Sequence, residues 1–96
     1  MTNISIFQKA GNFAENKDVA RDIRLHDILP ALEKGSDDVV LDFEGVTGAT
    51  QSFIHALLSQ LIRDYGDAIF IRLMFKNCNA TVQQVVNIVA DYMAET

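Results

Sequence analysis

The sequence predicts an α/β domain in which helices pack against a mixed or mostly parallel sheet of three to four strands. Two observations lead to this class. Apolar runs with strand-like spacing alternate along the chain with amphipathic helical patterns, which is the order that βαβ crossovers produce. The 96 residues, of which 49% are hydrophobic and 22% charged, suffice for one core and predict a single domain over residues 1–96.

The chain begins with a short candidate strand. The segment from Ile4 to Phe7 alternates weakly and predicts a first strand. Gly11 and Asn12 then mark a turn. Whether residues 11–14 add a fourth strand to the sheet is left open by their pattern.

An interrupted helical pattern follows. It begins at Asn16, a candidate N-cap, and apolar residues recur at helical spacing until Gly35 ends it. Pro30 lies inside this pattern, where a proline removes one backbone donor and clashes with the preceding turn. We therefore expect a kink near Ile28 or two short helices.

The middle of the chain carries the clearest strand and the clearest helix. The run from Asp37 to Phe43 is apolar apart from the acids at its start and Asp42, as in a central strand covered on both faces. Apolar residues then repeat from Phe53 to Tyr65, which predicts a helix of about four turns. Its apolar stripe is wider than one core face needs. This width favours burial on two sides within the fold over a surface for a partner, and it leaves a homodimer open.

The last third predicts one more strand and one more helix. The segment from Ala68 to Phe75 alternates, and the two cations Arg72 and Lys76 on one face indicate that this strand is only half covered. Asn79 or Thr81 can cap the final helix. The core stripe of this helix is Val82, Val85, Val86, Val89 and Met93.

Charge and composition exclude several classes of function. The formal net charge of −5 repels nucleic-acid phosphates, so we expect no nucleic-acid partner. No apolar run approaches the roughly 20 residues that cross a bilayer, and the N-terminus lacks the pattern of a signal peptide. The one cysteine, Cys78, suits a reducing compartment and is expected to fill space rather than to act as a nucleophile. We therefore predict a cytoplasmic protein with no membrane partner.

The candidate site lies where the predicted strands end. In sheets of this kind the carboxyl ends of the strands form the usual binding edge, and two loops should meet there. The first loop, with its strand end and helix start, contributes Asp42, Glu44, Gly45, Thr47, Gly48, Thr50, Gln51, Ser52 and His55. The second loop contributes Lys76, Asn77 and Asn79.

The glycines of the first loop suggest a phosphate-binding turn before a helix. Their spacing, however, matches neither of the two glycine-rich phosphate-binding motifs, and no lysine stands where a nucleotide would need it. A strand-to-helix turn that needs a flexible backbone explains Gly45 and Gly48 without a ligand.

Two kinds of active site are also conceivable in these loops. Ser52 or Thr50 could be a nucleophile with His55 as its base and Asp42 orienting that base, but no oxyanion motif accompanies them. Two scattered histidines and one cysteine have no recognisable ligand spacing, so no metal and no cofactor are expected. We predict that the chain is not an enzyme.

A recognition surface with a switch is the remaining interpretation. A phosphate on Ser52 or Thr50 would be tolerated at a helix start, yet it would bring about two negative charges into any docked interface. The plainer alternative is that Thr50 or Ser52 caps the helix, a role worth about 1 kcal/mol.

The segment "VVLDFEGVTGATQSFIHALL" resembles the centre of STAS domains, in which an apolar strand ends in Asp and a Gly-Val-Thr turn leads to an apolar helix. More closely, the chain resembles the STAS-like family of unknown function (DUF4325). That likeness rests on "ARDIR", "ILPALEKG", "VVLDFEGV", "SFIHALLSQLIRDYG" and "IRLMFKN", and it covers nearly the whole chain from Val19 onward. Its most specific part is the LDF-x-G-V pattern followed by Ser-Phe.

The resemblance implies a bacterial regulator without catalytic activity. STAS proteins are known chiefly as anti-anti-sigma factors, which bind a kinase-type ATPase and are released when that partner phosphorylates a serine. The partner implied here is a histidine-kinase-like ATP-binding protein or an anti-sigma-type protein, bound through residues 44–55. A small-molecule or nucleotide sensor that uses the same loop edge is the alternative.

The chain departs from the STAS pattern at the switch. Aligning the strand end and turn places Gln51 at the usual phosphoserine, with Thr50 at the preceding Asp and Ser52 at the second Ser. Because Gln51 cannot accept phosphate, the resemblance implies that any switch uses Ser52 or Thr50.

Overall fold

Strands and helices alternate in the computed structural model, which describes residues 2–34 and 38–94. The strands are β1 (Thr2–Ser5), β2 (Phe13–Ala14), β3 (Val39–Asp42), β4 (Gly48–Ala49) and β5 (Leu73–Lys76). The α-helices are α1 (Ile6–Ala10), α2 (Lys17–Ile23), α3 (Leu29–Glu33), α4 (Gln51–Tyr65), α5 (Ile69–Arg72) and α6 (Ala80–Ala94). A π-helical segment (Arg24–Ile28) joins α2 to α3, and a 3₁₀ turn (Gly66–Ala68) joins α4 to α5.

The main sheet is parallel, with strand order β1-β3-β5, so the predicted apolar strand is its centre. The region around residues 11–14 does form a strand, β2. It does not extend the main sheet, because it pairs in parallel with β4 as a second, two-stranded sheet. The predicted α/β class with parallel strands packed by helices is confirmed.

One face of the main sheet supplies the core. Side chains alternate along a strand, so the paired residues Ile4, Leu41 and Phe75 lie on the same face. Ile4 and Leu41 are buried in the core, and Phe75 packs against it. Val40 points to the other face, between exposed Asn3 and Met74. The helix α4 contacts both α2 and α6, so these three helices pack side by side.

The wide apolar stripe of α4 is explained by this packing. Ile54, Leu58 and Ile62, which widen the stripe, are all buried. Since α4 lies against α2 on one side and α6 on the other, its apolar residues are covered within the fold. The prediction of burial on two sides is confirmed.

The first predicted strand was placed too far along the chain. Ser5 ends β1, and its Oγ accepts a hydrogen bond of 3.3 Å from the backbone N–H of Gln8, which caps α1. Ile6 and Phe7 are therefore helical, and the prediction of a strand there was wrong. Weak alternation over four residues does not reveal a capping serine that starts a helix.

The interruption predicted near Ile28 is confirmed. Asn16 caps α2, and its side-chain oxygen accepts hydrogen bonds from the backbone N–H groups of Asp18 and Val19. The π-helical segment ends at Ile28, and Pro30 follows in the first turn of α3, where its missing donor is not needed. Arg24, in the π-helical segment, donates a 2.7 Å hydrogen bond to the carbonyl of Ala56 in α4.

Two predicted boundaries lie outside the described residues. They are the helix end at Gly35 and the strand start at Asp37. The described part of α3 ends at Glu33, and β3 begins at Val39.

The strand predicted from Ala68 to Phe75 is only half right. Its first part is the end of the 3₁₀ turn and α5, and β5 begins at Leu73. Ile69 and Leu73 are four residues apart, so a helical turn buries both while it points Ile71 to solvent at 78% exposure. Strand alternation would also bury Ile69 and Leu73, which is why the pattern alone misled.

The final helix follows the prediction. Asn79 Oδ1 accepts a 2.8 Å hydrogen bond from the N–H of Val82, so Asn79 rather than Thr81 is the cap. The predicted stripe faces the core, with Val85 half-buried and the other members buried, namely Val82, Val86, Val89 and Met93. None of the helices in the described part of the chain combines the length and apolar character that crossing a membrane requires.

Candidate partner-binding site

The two predicted loops meet at the carboxyl edge of the main sheet. Asp42 ends β3, and its Oδ1 accepts a 2.9 Å hydrogen bond from Asn77 Nδ2 of the second loop. Asn79 Nδ2 donates another, also 2.9 Å long, to the carbonyl of Thr47 in the first loop. These side-chain bonds join the loops directly.

The Asp42 carboxylate is held in its charged form at this junction. Hydrogen bonds from the Asn77 amide and from the Glu44 backbone N–H lower the pKa of Asp42, and the charge of Lys76 adds to this effect. Asn77 has a positive φ of 60°, a conformation that Asn tolerates better than most residues. Its backbone and side chain together set the geometry of the second loop.

A third segment borders the first loop. The N–H and Oγ1 of Thr47 both donate to the carbonyl of Asn12, at 2.7 and 3.0 Å. The N–H of Thr50 donates to the carbonyl of Ala14 at 2.9 Å. Sequence reasoning left residues 11–14 undecided because two-residue strands carry no periodic signal.

Two aromatic rings explain the glycines of the first loop. Gly45 has φ of 89°, and a Cβ there would lie 2.8 Å from Cδ1 of Phe7. A Cβ on Gly48 would lie 2.8 Å from Cε1 of Phe13. The rings of Phe7 and Phe13 are 44% and 49% exposed, so they cover the loop while facing solvent. Sequence reasoning missed both rings, since neither belongs to a periodic stripe.

At the start of α4, the roles of the hydroxyl residues separate. Thr50 Oγ1 accepts a 3.1 Å hydrogen bond from the N–H of Phe53, so Thr50 is the N-cap. Gln51 and Ser52 are exposed in the first turn of the helix. Of the two candidate caps, Ser52 is the one whose side chain lies on the surface.

A groove of about 440 Å³ opens beside this helix start. Its α4 wall contains three of the predicted site residues, Gln51, Ser52 and His55, together with Ala56. The other lining residues are Lys17 of α2 and Ile88, Val89 and Tyr92 of α6. Ile88 and Tyr92 are 50% and 63% exposed. They were missed because sequence reasoning followed only the core stripe of α6, although an apolar pair spaced i, i+4 outside that stripe was visible.

The predicted site residues therefore divide between two places. Asp42, Glu44, Gly45 and Thr47 belong to the segment that meets the second loop, and Gly48 lies in β4, whereas the first turns of α4 line the groove. Ser52 and His55 share the groove, but Asp42 does not line it. The three residues of the candidate catalytic triad therefore do not all line the groove.

A nucleophilic thiol and a metal site are the two remaining kinds of chemistry. Burial raises the pKa of the half-buried Cys78 thiol, and the nearby Asp42 carboxylate raises it further, which makes the thiol a weak nucleophile. Within residues 2–34 and 38–94, no three His, Cys, Asp or Glu side chains group in a way that could hold a metal ion.

The parallel sheet, whose carboxyl edge joins two loops to a helix start, defines an α/β domain and is consistent with a STAS-like fold. The family model described as a STAS-like domain of unknown function (DUF4325) matches residues 23–83, about two thirds of the chain. The chain belongs to this family, as the resemblance in its sequence predicted. No curated protein and no solved structure matches the chain.

Proposed function

We propose that this chain is a regulatory protein-interaction domain without catalytic activity, which binds a partner through residues 44–55. One observation carries the proposal. The start of α4 opens into a groove whose far wall presents the exposed apolar side chains of Ile88 and Tyr92. Exposed apolar residues rimmed by polar ones are typical of protein-binding surfaces.

The proposed partner is a histidine-kinase-like ATP-binding protein. This choice follows from the resemblance to STAS domains, whose anti-anti-sigma factors bind kinase-type ATPases. A cytoplasmic location belongs to the same proposal, since the single cysteine suits a reducing compartment. A homodimer remains compatible with it.

Ser52 is the proposed site of a phosphate switch. Its side chain is exposed in the groove, whereas the Thr50 hydroxyl is already used to cap α4. A phosphate on Ser52 would place about two negative charges beside Ile88 and Tyr92 and would oppose docking on an apolar surface. A phosphate on Thr50 would instead disturb the cap.

The test is capture of a histidine-kinase-like ATPase of the same organism, using the unmodified chain and its Ser52 variants. We expect Ser52→Ala to retain the complex and Ser52→Asp to weaken it. Thr81→Asp is the matched control, because Thr81 is an exposed residue at the start of another helix and does not line the groove. Intact mass after incubation with the ATPase and ATP reports phosphorylation directly.

Three outcomes would count against parts of this proposal. A chain that captures no ATPase would contradict the choice of partner. If Ser52→Asp bound the ATPase as well as the unmodified chain does, the groove would not be part of the docking surface. An unchanged mass would remove the phosphate switch and leave the docking proposal standing.

A small-molecule or nucleotide sensor is the alternative function. The groove volume falls within the roughly 300–1,000 Å³ typical of ligand pockets. The space between the two loops at this edge is less suitable for a ligand, because Asn77 and Asn79 form hydrogen bonds across it. A rise in melting temperature on adding nucleotides, with no partner present, would favour this alternative.

A further inference from the structure

Helices alone line the groove beside α4. Of its eight lining residues, seven come from α4 and α6 and one, Lys17, from α2. On the α6 wall, Ile88 and Tyr92 are four residues apart, so their exposed side chains stack one turn apart along the groove. Amphipathic helices bind in such grooves through apolar anchors with the same spacing.

The charge of the groove is opposite to that of the chain as a whole. The chain has 13 acidic and 8 basic residues, yet none of the eight residues lining the groove is acidic. Asp18 and Asp91 are sequence neighbours of Lys17 and Tyr92 but do not line it. Lys17 therefore faces the groove without a carboxylate among the lining residues.

We infer that the groove binds an amphipathic, acidic helix of the protein partner. Its apolar residues at i and i+4 would pack on Ile88 and Tyr92, and its Asp or Glu side chains would lie near Lys17. This inference rests on the proposed function and names the chemistry of the docking segment. It also explains how a phosphate on Ser52 would release the partner, because like charges would then meet in the groove.

The experiment selects binders for the full chain from a displayed library of helical peptides of varied sequence. We expect the selected peptides to be enriched in Asp and Glu and to carry apolar residues at i, i+4. Lys17→Glu should weaken the selected peptides about tenfold, since it replaces attraction with repulsion. Tyr92→Ala should weaken them roughly thirtyfold, the loss expected for an aromatic anchor.

Matched variants control for charge and for loss of an aromatic ring elsewhere. Lys34→Glu changes the same charge at an exposed position that does not line the groove. Phe70→Ala removes a partly exposed ring on α5. Both should bind the selected peptides as the unmodified chain does, and circular dichroism should show that all four variants are folded.

The outcomes separate this inference from the proposed function. Selection of peptides without acidic enrichment, selection of none, or binding that Lys17→Glu and Tyr92→Ala leave unchanged would overturn the inference. If Lys17→Glu and Tyr92→Ala both captured the ATPase as well as the unmodified chain does, the inference would also be overturned. The proposed function would then still stand. Acidic helices bound in the groove without any ATPase capture would support the inference and contradict the choice of partner.

Discussion

At the scale of single residues, Asn77 is one of two asparagines whose side chains join the two loops. Its amide donates to the Asp42 carboxylate, and its left-handed backbone brings that amide into position. Because the bond stabilises the charged carboxylate, it lowers the pKa of Asp42 in the folded state. The contribution to stability is present above the unfolded pKa of about 3.9 and is lost as the pH falls through the folded pKa.

Asn77→Gly tests this bond, because glycine keeps the positive φ and removes the amide. We expect the variant to lower the free energy of unfolding by about 1 kcal/mol at neutral pH. The difference from the unmodified protein should begin to shrink as the pH falls below the unfolded pKa of about 3.9, and it should vanish as the pH falls through the lower folded pKa of Asp42. Urea unfolding over this pH range measures it. A difference that does not depend on pH would contradict the proposed role of the charged carboxylate.

Gly48→Ala tests the contact between the first loop and Phe13. The added methyl group would lie 2.8 Å from the Phe13 ring, so the ring must move, at a cost of about 1 kcal/mol. In a Phe13→Ala background the same change should be neutral or slightly stabilising, since alanine restricts the unfolded chain. Denaturant unfolding of the four proteins gives the coupling between the two sites.

Gly45→Ala is the matched comparison. Gly45 has φ of 89°, so alanine should destabilise the protein even in a Phe7→Ala background. Equal effects of Gly48→Ala with and without the Phe13 ring would show that contact with the ring is not the reason for glycine at position 48.

At the scale of the elements, the segment before β5 is a helical turn where the sequence predicted a strand. The two alternatives differ in whether Ile71 is buried. The structure places Ile69 in the core and Ile71 in solvent, because residues 69–72 form a helical turn. A strand would have put both side chains on one buried face. The carbonyl of Leu32 in α3 accepts a 3.1 Å hydrogen bond from Arg72, which ties the end of this turn to another helix.

Paired alanine substitutions test this assignment. Ile69→Ala should lower the free energy of unfolding by about 2–5 kcal/mol, because it leaves a cavity in the core. Ile71→Ala should change it by no more than about 0.5 kcal/mol, because the side chain is largely in solvent. Chemical denaturation of both variants provides the measurement. Comparable losses at the two positions would support the strand instead.

At the scale of the whole molecule, α4 holds the helical layer together by packing against both α2 and α6. One continuous set of buried residues contains members of β1, β3, β5, α4 and α6. With so much of the core shared between elements, local unfolding of one helix would expose its neighbours. The single domain predicted from the chain length should therefore unfold as one cooperative unit.

Calorimetry tests this cooperativity. We expect a single transition in which the calorimetric and van 't Hoff enthalpies agree, with a value of about 65 kcal/mol near 60 °C for a chain of this length. Two transitions, or a van 't Hoff enthalpy well below the calorimetric one, would show that the chain contains separate folding units.

The state of assembly is a second property of the whole molecule. The wide apolar stripe of α4 is buried inside the fold, so it is not available for a dimer interface. Arg63 lies exposed on the polar side of the same helix. Arg63→Glu should leave the molar mass from light scattering unchanged. Loss of a dimer in this variant would place the polar side of α4 in an interface.

Much of the fold follows from spacing along the chain. The central strand, α4 and α6 were predicted because residues that face a core are apolar and recur at the period of the helix or strand. The caps at Asn16 and Asn79 were predicted because Asn side chains commonly accept hydrogen bonds at a helix start. The segments at Ile6 and Ile69 were not predicted correctly. Both are short, and both have apolar residues that suit either a helix or a strand.

The sequence by itself determined the fold class, the family and the loops that carry the candidate residues, because all three depend on local spacing and motif. Only the tertiary structure decided which of those residues share a surface. Ser52 and Tyr92 are forty positions apart, and they line one groove because α4 packs on α6. The same packing leaves Asp42 at the sheet edge with Asn77. Such contacts between distant residues depend on the core as a whole, which no local pattern encodes.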